Sequence, residues 1–143
     1  MDVEFPSLEE AAEYFYVHRD CNCAEALFTG GNAYYRLGVS PAGLRAAAGF
    51  GGGMGIGTVC GAITGALMVM GCLFVRERAH EGSTMEEVSS AYLEACSRRF
   101  GSLLCEQLKD QFYTPESGCL EAVCTAAQEA EKLISSFAER RIQ

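Results

Sequence analysis

Eight of the 143 residues are cysteines, and their placement points to chemistry more directly than any other residue type. Cys60 is the most informative. It opens Cys60-Gly61-Ala62-Ile63-Thr64-Gly65 and follows the glycine-rich run Gly49-Phe50-Gly51-Gly52-Gly53-Met54-Gly55-Ile56-Gly57. The pattern predicts a thiol in the first turn of a long apolar helix, at the end of a flexible loop. Unpaired N–H groups and the positive end of the helix dipole favour a thiolate there. The thiolate is the form that attacks electrophiles and binds metals. Cys23, Cys105 and Cys119 are also predicted near helix starts, so the four read as one site.

Helix geometry sorts the remaining cysteines. Cys60 and Cys72 share a predicted helix and lie about 18 Å apart along its axis. Cys72 therefore reads as a buried small apolar residue. Cys96, late in another helix and without a capping role, reads the same way. Cys119 and Cys124 are separated by about 500° around their helix, so one of them is a ligand and hardly both. In Cys21-Asn22-Cys23 the second cysteine leads into a helix, and Cys21 is held in reserve. No Cys-x-x-Cys occurs, so a thioredoxin-like motif, a zinc ribbon and a c-type haem site all lack their signature. Four thiolates converging from four helices suit a [2Fe–2S] or [4Fe–4S] cluster, with zinc the lesser alternative. Small buried residues, or a pair of disulfides, are the plain alternative.

Other residue types add little. The glycine run fits neither the P-loop nor the dinucleotide-binding spacing, and no strand precedes it. Close approach of its backbone to a cluster or to another helix is the expectation. His18 and His80 read as solvated surface residues. Glu9-Glu10 and Glu86-Glu87 occupy first helical turns, where the dipole explains them. No catalytic residue is assigned.

The elements that must position the cysteines read as helices almost throughout. Ser7-Leu8-Glu9-Glu10 is a capping box that opens the first helix. Asp20 or Asn22 caps a second, from about Cys23 to Leu37, with Gly38 as its stop. Gly30-Gly31 bends that helix or admits a close neighbour. Ser40-Pro41 starts a short third helix through Ala48. Gly57 or Thr58 starts the fourth, which runs to about Ala79. Ser83-Thr84-Met85-Glu86 is a second capping box, for a helix ending at Phe100 and Gly101. Ser102 caps a sixth helix, and Ser117 or Gly118 starts a last one toward Arg140. No alternation is long enough for a strand. The expected fold is all-α, a compact bundle of about six or seven helices around a central apolar, Gly-rich helix, in a single domain over 1–143.

Ala46 to Val75 carries no charge, which raises the question of a membrane span. Gly53, Gly57, Gly61 and Gly65 also have the four-residue spacing of packed membrane helices. The first third of the run is too rich in glycine for a stable helix in lipid, and the remainder barely spans. A core helix surrounded by others is expected instead. Net charge is −8, with 11 basic and 19 acidic residues, which argues against a nucleic-acid partner. The start, Met1-Asp2-Val3-Glu4-Phe5-Pro6, lacks the basic and apolar regions of a signal peptide. Eight cysteines then suggest a reduced compartment, and the chain is expected to be cytoplasmic.

Several segments together resemble the C_GCAxxG_C_C family. They are Asn22-Cys23-Ala24-Glu25-Ala26, Gly49 to Gly55, Cys60 to Leu67, and Arg99-Phe100-Gly101-Ser102 leading to Cys105 and Leu108. Cys119, with Val123 and Ala126, completes the set. The resemblance implies a helical domain with a redox centre, iron–sulfur in type, held by four cysteines that fall on Cys23, Cys60, Cys105 and Cys119. Split-Soret cytochromes look like haem-bearing relatives, but this chain lacks their attachment motif, so no haem c is expected. Cys21, Cys72, Cys96 and Cys124 depart from the four-cysteine pattern and leave a second thiol pair open.

The resulting expectation is electron transfer or redox sensing through a cluster, with an unidentified redox protein as partner. Gly51, Gly52, Gly53, Gly55 and Gly61 would bring backbone N–H groups to the cofactor. The alternatives are a metal-free thiol–disulfide protein with Cys60 attacking, or a binding module with structural cysteines. The apolar content makes a homodimer an expected state.

Overall fold

Local signals decide where most of the helices begin. The computed structural model describes residues 4–142, with side chains through residue 139. The acidic start at Met1, Asp2 and Val3 lies outside them. Seven α-helices follow one another: α1 (Leu8–His18), α2 (Cys23–Tyr35), α3 (Pro41–Arg45), α4 (Gly61–Phe74), α5 (Thr84–Phe100), α6 (Cys105–Phe112) and α7 (Leu120–Ile142). Among the described residues there is no strand, only two isolated antiparallel bridges, Val59 with Leu104 and Thr114 with Gly118. The all-α expectation holds.

Ser7 Oγ accepts from the Glu10 amide at 3.1 Å and starts α1. Asn22 and Glu25 form a reciprocal capping box at α2, at 2.9 and 3.1 Å. Ser40 Oγ accepts from the Gly43 amide, with Pro41 at the first helical position. Gly101, at φ +77°, ends α5.

Several boundaries and one cap differ from the sequence reading. α2 stops at Tyr35, because Asn32 closes its end: its carbonyl accepts from the cap Arg36 and its side chain from the Val39 amide. α3 stops at Arg45, and a separate 3₁₀ turn covers Ala48–Phe50. Ser83, at φ −103° and ψ −5°, lacks the extended geometry of a capping residue and makes no cap bond. Ser102 bonds the Leu104 amide instead of capping, so α6 begins at Cys105.

The largest difference is in α4. It starts at Gly61, because Gly53–Gly57 is a turn with Met54, Gly55 and Gly57 at φ of +62°, +77° and +76°. It ends at Phe74, because Val75 is extended and the Glu81 carboxylate gathers the amides of Arg76, Glu77 and Arg78. Its 14 residues fall short of a span, and no helix among the described residues is long and apolar enough to cross a membrane.

α4 packs on α2, α5 and α7, while α1 lies across α2 and α7. α4 carries no charged residue. Ala62, Ile63, Ala66, Val69 and Met70 are fully buried. On α7 the buried positions Ala122, Val123, Ala126, Ala127, Ala130, Ile134 and Phe137 follow the helical period. The wholly buried Tyr92 donates its hydroxyl to the Ala126 carbonyl at 2.9 Å, tying α5 to α7.

Small residues set the closest approach. A Cβ on Gly65 would meet the Ala24 carbonyl oxygen at 2.6 Å and Leu27 Cβ at 2.8 Å, on the facing helix α2. Gly30 stands equally close to the α1 backbone at Ala12, so the glycine pair of α2 admits neighbours. Gly65→Ala must therefore push α2 and α4 apart. The expected loss is about 1–3 kcal/mol, the usual range for overpacking, read by urea unfolding.

Candidate functional site

Four chain segments end at one place because four helices start there. Cys23 is the first residue of α2, Cys105 is the first of α6, and Cys119 immediately precedes α7. Cys60 is the N-cap of α4, one position before the first turn in which the sequence placed it. All four line a single cavity of about 450 Å³.

Backbone contacts hold these segments in register. The Cys60 amide donates to the Leu103 carbonyl at 2.8 Å, and the Cys105 amide donates to the Thr58 carbonyl at 2.6 Å. This short antiparallel clamp fixes Cys60 against Cys105. Thr58 is fixed in turn, since its amide and hydroxyl both donate to the Gly53 carbonyl, at 3.0 and 2.7 Å. The Cys119 amide donates to the Tyr16 hydroxyl of α1 at 2.9 Å. The Asn22 side-chain amide donates to the Ala48 carbonyl, joining the α2 cap to the approach of the glycine run.

The five glycines expected at a cofactor are spread unevenly. Gly52 lines the cavity. At Gly61 a Cβ would sit 2.5 Å from Cys23 Sγ and 2.8 Å from the Phe50 carbonyl oxygen. Gly53, at φ +61°, is buried where a Cβ would lie 2.7 Å from Cys105 Cβ. Gly51 abuts the Asn22 side chain, and Gly55 faces open space.

Burial decides the charge of the thiols. Cys60 is pushed from an ordinary 9.0 up to about 12, first by burial and then by neighbouring Cys23. The amides of Ala62 and Ile63 pull the other way without forming a capping bond. The helix start therefore fails to make Cys60 a thiolate at neutral pH in the metal-free chain. Cys105 and Cys119 are also raised, mainly by burial. Cys23 pushes both upward, and Lys109 draws both down.

These shifts give a pH prediction. Cys60 stays protonated in the folded chain while an unfolded thiol ionises near 9, so ionisation favours the unfolded state. Cys124 is likewise raised to about 12 and Cys96 to about 11. The stability they contribute is complete below pH 9 and is lost as pH rises toward 12. Urea midpoints of the metal-free chain should fall steadily from pH 8.5 to 10.5, and less steeply in Cys60→Ala.

The remaining cysteines divide. Cys21 is half-buried and lines the cavity. Cys96 is buried beside Tyr92, as expected. Cys124 is half-buried near Glu13, Glu9 and Glu121, away from the cavity. Cys72, expected to be buried, is exposed, because α4 is covered by α2, α5 and α7 and leaves one flank open. His18 and His80 are exposed and do not line the cavity.

Three features of the site escaped the sequence reading: Tyr16, the clamp between residues 58–60 and 103–105, and Lys109. Among the described residues Lys109 is the one charged side chain lining the cavity. Its signal was available, since it follows Cys105 by one helical turn and shares its face.

Among the described residues no three His, Cys, Asp or Glu side chains are gathered to hold a metal ion.

No curated protein and no solved structure matches this chain. A family described as "Putative redox-active protein (C_GCAxxG_C_C)" matches residues 21–133. The match takes in Cys21 and all four cysteines at the helix starts, and it covers most of the chain. The protein belongs to the C_GCAxxG_C_C family.

Proposed function

We propose that the protein transfers or senses electrons through an iron–sulfur cluster held by Cys23, Cys60, Cys105 and Cys119. The observation that carries this reading is the convergence of those four side chains, from the starts of four helices, on one cavity. Four thiolates from separate segments are the usual ligand set of an iron–sulfur cluster. When bound, the cluster supplies a one-electron couple.

The chain's own residues do the rest. The amides of Ala62 and Ile63 face the Cys60 sulfur and favour its thiolate. Lys109 offsets negative charge at Cys105 and Cys119. Gly61 lets α4 approach Cys23, and the clamp keeps Cys60 in register with Cys105. Apolar neighbours such as Leu108, Ala122 and Val123 limit water. A reduced compartment suits free thiols of this number.

A metal-free reading is favoured by one observation, the lack of three donors grouped at single-ion spacing. In that reading two cavity thiols form a disulfide, releasing two protons and passing two electrons to a disulfide or peroxide oxidant. Anaerobic purification separates the two. Visible bands bleached by dithionite are expected. A colourless chain that gains two thiols with mild reductant would replace the cluster by the disulfide.

A further inference from the structure

Five large apolar side chains are exposed among the described residues: Val17, Met54, Ile56, Leu104 and Tyr113. All five lie on segments that build the cysteine cavity. Tyr113 lines it, and Val17 follows Tyr16, which also lines it. Leu104 precedes Cys105 and is bridged to Val59, which precedes Cys60. Met54 and Ile56 stand between Gly52 of the lining and Thr58 of the clamp. Single exposed apolar residues are ordinary, but Met54, Ile56 and Leu104 stand where the 53–57 turn packs on the start of α6, with Gly53 against Cys105 and Gly57 against Glu106, and that grouping marks an interaction surface.

The backbone is strained where this surface projects. Met54 has φ +62° and ψ +31°, a left-handed geometry that side chains disfavour, although glycines flank it on both sides. Ile56 follows at 77% exposure, the most exposed of the five. A strained residue presenting apolar groups beside a cavity is characteristic of functional surfaces.

Charge identifies what fits. Asp20, Glu106, Asp110 and Glu116 are exposed on these same segments, against Arg19 and Lys109. The chain as a whole carries −8. A second copy would set acid against acid, which opposes self-association through this face. A partner with an apolar centre and a basic ring complements it, and small interfaces of that kind are typical of electron-transfer encounters.

We propose that the surface formed by Met54, Ile56 and Leu104, with Tyr113 at the cavity, docks a redox protein that presents an apolar patch ringed by Lys and Arg. The partner class rests on the redox reading above. The docking surface is tested on the reduced, metal-free full chain, so that loss of a cluster does not decide it. Mitochondrial cytochrome c serves as the basic probe and a plant-type ferredoxin as the acidic one. Amide shifts at Met54, Ile56 and Leu104 are expected with cytochrome c at low salt, fading at high salt and absent with ferredoxin. Met54→Ser with Ile56→Ser should weaken binding about tenfold while circular dichroism is unchanged. Asp110→Lys with Glu116→Lys should remove the preference for the basic probe. Shifts that map elsewhere, no shifts at low salt, or sedimentation showing this surface paired with a second copy would each overturn the proposal. A chain that docks cytochrome c here yet holds neither cluster nor reducible disulfide would instead sink the redox reading alone.

Discussion

Cys60→Ser is expected to abolish the visible redox signal and to lower retained iron by well over tenfold, while Cys72→Ser changes neither. Serine keeps the size of the side chain, so α4 still starts at Gly61 and the amide of residue 60 still reaches the Leu103 carbonyl. What is lost is the soft sulfur ligand. Changes that merely touch a ligand's neighbours already cost about 10–100-fold in metal affinity, so loss of a ligand should exceed that. Cys23→Ser, Cys105→Ser and Cys119→Ser should each behave like Cys60→Ser, because all four side chains face one cavity. Cys72 is the fitting control, being a cysteine of the same helix as Cys60's that is exposed and outside the cavity. Iron analysis and absorption spectra of the five variants, purified alike without oxygen, check the pattern. A Cys119→Ser variant with its signal intact would remove that residue from the set.

Gly61→Val should have the second largest effect, on stability and on the site together. The added Cβ meets Cys23 Sγ at 2.5 Å, the Phe50 carbonyl oxygen at 2.8 Å and the Ala24 amide nitrogen at 3.2 Å. Two of these are backbone atoms, and α2 cannot withdraw freely because Gly65 already rests on Ala24 and Leu27. Overpacking of this kind destabilises by about 1–3 kcal/mol. Since Cys23 is the side chain displaced, the redox signal should be lost even where the fold survives. Gly55→Ala is the counterpart. It faces open space at φ +77°, so it strains the backbone and leaves the signal in place. Urea midpoints and anaerobic spectra of both variants distinguish site damage from general weakening.

How far the site can be read from residues alone depends on the range of the interaction. Capped helix starts are local, so Ser7, Asn22 and Ser40 mark α1, α2 and α3, whereas α4 and α6 begin without a side-chain cap. The start of α4 was not legible, because glycine tolerates both hands of φ and nothing in Gly53–Gly57 announces a left-handed turn. The clamp between Thr58–Cys60 and Leu103–Cys105 pairs two short segments far apart in sequence, with no alternation to betray a strand. The exposure of Cys72 depends on which flank of an all-apolar helix its neighbours leave uncovered. The charge of Cys60 was misjudged for a related reason: dipole and amides are visible in a helix start, whereas desolvation belongs to the assembled fold. Lys109, one turn beyond Cys105, was legible and passed over.

The central claim is that four sulfurs from separate helix starts act as one redox centre built on a cluster. Analysis of iron and acid-labile sulfide in the anaerobically purified chain tests it most directly. The account predicts both, in equal amounts, lost together when any one of Cys23, Cys60, Cys105 or Cys119 becomes serine. A folded chain carrying neither iron nor sulfide, or one whose content is indifferent to those four changes, would contradict it.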